Sequence, residues 1–92
     1  MIRDLGDRIE VAGNMTLPEA SRLLSEGMGL LGRDAVVFDL QAVADVDSTA
    51  LAVVFAWQRA VRRAGKTMRV ANPPRNLMSL AAMYGVGEML PL

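Results

Sequence analysis

Apolar and polar side chains alternate near the start of the chain. "RIEVAG" (Arg8 to Gly13) runs at a period of two, which predicts a strand with one buried face. Ile2 to Asp4 reads as a short strand before it, with Gly6 and Asp7 as the turn. The period then changes. In "TLPEASRLLSEGMGLL", Leu17, Ala20, Leu23 and Leu24 fall on one helical face. Thr16 followed by Glu19 has the form of a capping box, and Pro18 suits a first turn. This helix is expected to fade around Gly27 to Gly29. "AVVFDL" (Ala35 to Leu40) is unbroken and apolar, which predicts a central strand covered on both faces.

"STALAVVFAWQRAVRRAGK" predicts the longest helix, from about Ser48 to Ala64, with Asp47 or Ser48 as its N-cap and Gly65 as its stop. At about 100° per residue, Ala50, Val53, Val54, Trp57, Ala60, Val61 and Ala64 form its inner face. Ser48, Leu51, Ala52, Phe55, Arg59, Arg62 and Arg63 lie opposite. "TMRVA" (Thr67 to Ala71) is another strand. "NPPRNLMSLAAMYGVG" opens a last helix, with Asn72 as cap, Pro73 or Pro74 in the first turn and Gly85 as its end. "EMLPL" adds a short edge strand or a packed end. Strands alternating with helices predict an α/β fold with a mixed, mainly parallel sheet of about four to five strands and about three helices. One domain is expected over residues 1–92. In such folds the functional loops follow the carboxyl ends of strands. "DVDSTAL" (Asp45 to Leu51) occupies that place.

Composition narrows the chemistry. At 92 residues the chain is near the lower limit for a self-sufficient core. Its hydrophobic fraction of 52% is more than so short a chain hides, so some apolar surface is expected to meet a partner. Ten basic and ten acidic residues balance, which argues against a nucleic-acid footprint. The absence of Cys and His removes disulfides, Cys/His metal sites and histidine-assisted nucleophiles. Arg3, Asp4 and Asp7 interrupt any signal-peptide pattern, and no apolar run reaches the roughly 18–20 residues of a membrane span. A cytoplasmic protein without direct membrane insertion is expected.

Capping alone accounts for the residue types in "DVDSTAL". A hydroxyl at an exposed helix start is also suited to a contact or a phosphate, and the two roles coexist if Asp47 caps while Ser48 faces outward. Asp39, Asp45 and Asp47 raise the question of a metal, but aspartates near one loop more often cap and solvate. The glycines of "LLSEGMGLLGRD" lack phosphate-loop spacing. Arg59, Arg62 and Arg63 read first as a solvated helix end and second as a contact for an acidic partner. The expected docking surface is Asp47, Ser48, Thr49, Leu51, Ala52, Phe55 and Arg59. No catalytic residue, metal or cofactor is expected.

The order and spacing of "VVFDLQAVADVDSTALAVVFAWQRAVRRAGKTMRVANPPRNLMSLAAMYGV" resemble a STAS domain (the SpoIIAA-like fold) over roughly residues 8 to 90. Within that family the chain looks most like the MlaB branch, the small subunit of Mla phospholipid-transport ABC systems of Gram-negative bacteria. The resemblance implies a non-catalytic cytoplasmic subunit, peripheral at the inner membrane through its complex. It would bind an MlaF-like ATPase, and through it an MlaE-like permease, to maintain outer-membrane lipid asymmetry. Ser48, preceded by Asp47, would lie at the contact. The other branch, the anti-sigma factor antagonists, implies instead that Ser48 is phosphorylated by a partner kinase. Their motif usually has a glycine before the leucine, where this chain has Ala50.

Overall fold

The computed structural model describes all residues, Met1–Leu92. Its elements are β1 (Ile2–Asp4), β2 (Ile9–Met15), α1 (Leu17–Met28), β3 (Ala35–Val46), α2 (Ser48–Arg63), β4 (Thr67–Ala71) and α3 (Arg75–Met83). A single 3-10 turn, Gly87–Met89, follows. The sheet order is β1-β2-β3-β4, with β1 antiparallel to β2 and the other neighbours parallel. Two consecutive right-handed crossovers that step the same way across a sheet leave both helices on one face. α3 joins them there, since Leu23, Trp57 and Leu77 belong to one core cluster.

β3 runs further than the apolar run in the sequence. Its second half, Gln41–Val46, pairs with β2 through two register shifts, near Val11 and between Gly13 and Asn14. Bulges of this kind let a strand continue past a break in its alternation. The expectation that β3 is covered on both faces is corrected. Val36, Phe38 and Leu40 are buried under the helices, while Val37 is only half-buried on the other face. That open face carries charges. Arg3 pairs with Glu10, and Arg8 reaches the Asp39 carboxylate at 3.1 Å.

Asp39 retains only 7% exposure, yet it is well supplied with donors. The Gln41 N–H donates at 3.0 Å and the Asn72 amide at 3.1 Å. The Gln41 bond is the first cause holding its carboxyl below the ordinary value, followed by Asn72 and Arg8, against the opposing effect of burial. Asn72 is therefore not the α3 cap that its position suggests. It sits in the left-handed region (φ 52°), with its side chain committed to Asp39. Asn tolerates that backbone better than most residues. α3 instead begins directly after Pro74.

The core centres on Trp57, which is wholly buried. Its indole stacks on Phe38 of β3 with ring centroids 4.2 Å apart and an interplanar angle of 6°. Gly27 of α1 lies against the same indole. A methyl group there would overlap Nε1 and Cε2 of Trp57. α1 ends at Met28 with Gly29 as its cap, as the glycines suggest, and Gly27 in its last turn also marks the close approach of α1 and α2. At the other end of the fold the tail packs rather than forming a strand. Leu90 is buried, and the Val70 N–H donates to the Pro91 carbonyl at 2.6 Å.

Gly27→Ala is expected to destabilise the fold by about 1–3 kcal/mol through overpacking. Gly29→Ala is the control. Its backbone is helical (φ −69°), and its nearest neighbour to a new methyl is a carbonyl oxygen at 3.5 Å. It should be neutral or gain up to about 1 kcal/mol. Urea unfolding followed by Trp57 fluorescence separates the two.

Candidate partner-docking site

The loop between β3 and α2 is organised by Asp47. Its extended backbone (φ −129°) is that of an N-cap, and its Oδ1 accepts the Thr49 N–H at 2.9 Å and the Thr49 hydroxyl. The second oxygen has a different partner. Oδ2 accepts the Leu17 N–H, the first of α1, at 2.9 Å. Thr16 occupies the α1 cap position but its side chain makes no capping bond, and Glu19 pairs with Arg22. The capping box expected from the sequence is therefore replaced by a carboxylate thirty residues away. The Asp47 N–H also donates to the Met15 carbonyl at 3.3 Å. One residue ties the start of α1 to the start of α2. The Thr49 hydroxyl first, then the Leu17 N–H and more weakly the Thr49 N–H hold its carboxyl below the ordinary 3.8 against the opposing effect of burial.

With Asp47 and Thr49 turned to each other, Ser48 is left exposed. Ala50 is wholly buried, where a small helix-forming residue suits the first turn. Ala52 and Arg59 are exposed and Phe55 is half-buried, as the helical wheel predicts. Leu51 requires a correction. It is 5% exposed, a core residue rather than part of the outward face. It forms the floor of a shallow groove of about 320 Å³, whose walls are Ser48, Phe55, Tyr84 and Val86.

Tyr84 and Val86 were not singled out in the sequence. Their position follows from the way α3 ends. Gly85 adopts φ +71°, the Gly85 N–H donates to Ala82 and the Val86 N–H to Ala81. This is a Schellman ending, which turns the chain back over its own last turn and brings an apolar residue in after the glycine. The signal was legible as "MYGVG". Tyr84 is left 58% exposed at the rim, with Met83 beside it in sequence at 71%.

Of the expected site residues, the fold brings Ser48, Leu51 and Phe55 to one groove, with Asp47 and Thr49 supporting its edge. Ala52 and Arg59 continue from Ser48 along α2 and lie outside the groove. Asp39, Asp45 and Asp47 do not converge: Asp39 is on the open sheet face, Asp45 accepts its neighbour's N–H, and Asp47 caps helices. No group of three or more His, Cys, Asp or Glu side chains is placed to hold a metal. No helix is long and apolar enough to cross a membrane. The largest cavity, about 410 Å³, lies at the other end of α2, between Gln58, Arg62, Lys66 and the tail.

The family described as "Mlab, STAS domain" matches residues 2–91. The chain belongs to the STAS domain family. Solved STAS-fold structures agree. The anti-sigma factor antagonist SpoIIAA in its unphosphorylated form superposes with a TM-score of 0.74 at 10% identity, over 98% of this chain and 84% of that one. A putative anti-sigma factor antagonist from Thermotoga maritima gives 0.77 at 12%, over 98% and 81%. A sulfate transporter family protein from Wolinella succinogenes gives 0.68 at 17%, over 88% and 67%. At such identities these likenesses concern the fold. No curated protein matches the sequence.

Asp47→Asn tests the double cap. The Asp47 carboxyl is held low in the folded chain, so its contribution is present above the ordinary value of 3.8 and is lost as pH falls through the folded value. The variant should be less stable than wild type at neutral pH. The gap should close as pH drops below about 3.8, as measured by urea midpoints across that range.

Proposed function

We propose that this STAS domain is a non-catalytic docking subunit of an ABC-type phospholipid-transport system, held at the inner membrane by its complex. It binds the cytoplasmic ATPase subunit (MlaF-like) through the start of α2, and reaches the permease (MlaE-like) only indirectly. Asp47, Ser48, Thr49, Leu51, Ala52, Phe55 and Arg59 form or support this surface, together with Tyr84. The observation that carries the reading is the groove. It is open and shallow, its floor is apolar, and an exposed tyrosine and an exposed serine stand at its rim. A tyrosine beside an apolar centre, with an arginine further along α2, is the composition of a protein contact. Membership of the family described as Mlab, STAS domain supports the same reading. Binding one state of the ATPase better than another would shift its population, which is how a subunit without chemistry regulates one that has it.

A second reading, an anti-sigma factor antagonist controlled by phosphorylation of Ser48, is favoured by one observation. Ser48 is exposed at a helix start, where backbone N–H groups and the dipole suit a phosphate. The buried Ala50 weighs for a rigid first turn instead.

Ser48→Asp separates the readings. A charge placed in a desolvated contact should weaken docking by several kcal/mol. In a tagged pull-down from native membranes, wild type should recover the ATPase and permease and the variant should lose both. Intact docking by Ser48→Asp would remove Ser48 from the interface. Recovery of a serine kinase that adds phosphate to Ser48 would establish the second reading.

A further inference from the structure

The ion pairs divide the chain in two. Residues 1–47 carry four basic side chains, and each has an acidic partner: Arg3 with Glu10, Arg8 with Asp7 and Asp39, Arg22 with Glu19, and Arg33 with Asp4. Residues 48–92 carry six basic side chains and one acidic one, Glu88. None of these six has a carboxylate partner. Lys66 donates only to the Gly32 carbonyl.

Three of the six lie on the exposed side of α2. At about 100° per residue, Ser48, Ala52, Phe55, Arg59, Arg62 and Arg63 form one stripe about 100° wide. The side chains of Arg59, Arg62 and Arg63 are exposed along it. Arg59 lies about 16 Å, or three turns, from Ser48. The stripe therefore runs from the apolar groove at one end to three unpaired guanidinium groups at the other. The helix dipole favours cations at this end, but it accounts for their sign and not for their number or alignment.

We infer that the partner's docking element carries acidic side chains, which pair with Arg59, Arg62 and Arg63 about three turns from the apolar anchor that enters the groove. This deepens the docking reading above and rests on it. A protein partner suits the chemistry better than an anionic membrane, because all three cations of the stripe are arginines. Arginine offers a planar fork that pairs two-pronged with a carboxylate, and it is enriched in protein interfaces where lysine is depleted. The stripe also continues from a groove with an apolar floor. The partner is thus an amphipathic segment with an apolar residue at one end and carboxylates at the other. The charges set its direction along α2 and speed its encounter.

The test uses the purified full-length chain and the purified ATPase subunit, titrated by calorimetry at about 0.05 M and about 0.5 M salt, where screening differs strongly. Reversal of the stripe (Arg59→Glu, Arg62→Glu and Arg63→Glu together) should weaken binding at low salt by at least about tenfold, with a smaller gap at high salt. Neutralisation (all three →Gln) should lie between, and guards against loss of the helix end to repulsion at its dipole. Tyr84→Ala should weaken binding equally at both salts. Restoration of the reversed chain by reversing acidic residues of the ATPase completes the case. Equal binding by wild type, reversed and neutralised chains would overturn the inference and leave groove docking intact. Absence of wild-type binding at either salt, with the fold intact by circular dichroism, would overturn the docking reading and this inference with it. Stripe-dependent binding to vesicles rich in anionic lipid, with ATPase binding indifferent to the stripe, would overturn it in favour of a membrane.

Discussion

Trp57 sets the spacing on which the rest depends. It lies face to face with Phe38 on the sheet and against the bare backbone of Gly27 on α1. A large flat side chain between two helices and a sheet leaves little freedom in how α2 is rolled about its axis. Its Nε1 is buried without a hydrogen-bond partner, a cost the packing must offset. Once Trp57 points inward, Ser48, Ala52 and Arg59 point outward by helical geometry alone. The candidate surface is thus a consequence of the core.

The two ends of that surface are fixed by different means. At the groove end, Asp47 closes α1 and α2 with one carboxylate, and the Schellman ending of α3 brings in Tyr84 and Val86. Both devices act through backbone groups, so they place the serine and the tyrosine without using either side chain. At the arginine end, the guanidinium groups have no carboxylate partner within the chain. An apolar recess joined to unpaired charges suits a contact in which the charges guide approach and the recess fixes register.

The period of two in β2 and the helical periods in α1 and α2 made the order of elements legible, and with it the STAS family and the position of the Asp47–Ser48 turn. What the sequence concealed was long-range. Thr16 and Glu19 satisfy a local capping rule, but the carboxylate that serves α1 comes from residue 47. Gly27 and Gly29 announce the end of α1, but local rules do not show the indole that lies against Gly27. Asn72 resembles a cap because its partner Asp39 is 33 residues away in sequence. Leu51 falls on the outer side of an isolated helical wheel and is buried because the end of α3 lies beside it. In β3, polar residues beyond Leu40 hid a strand that the bulges in β2 allow to continue.

The uneven pairing of charge bears on how copies of the chain behave in one another's presence. With a formal charge of zero, the molecule has no long-range repulsion to keep copies apart. Its surplus of cations lies in residues 48–92, with six basic side chains against one acidic, while residues 1–47 carry nine acidic side chains against four basic ones. Unpaired cations on one copy can meet unpaired carboxylates on another when little electrolyte is present. An acidic partner seated on α2 would cover those cations. Occupancy would then protect the chain against clustering with itself, so colloidal stability and assembly into a complex would draw on the same three arginines.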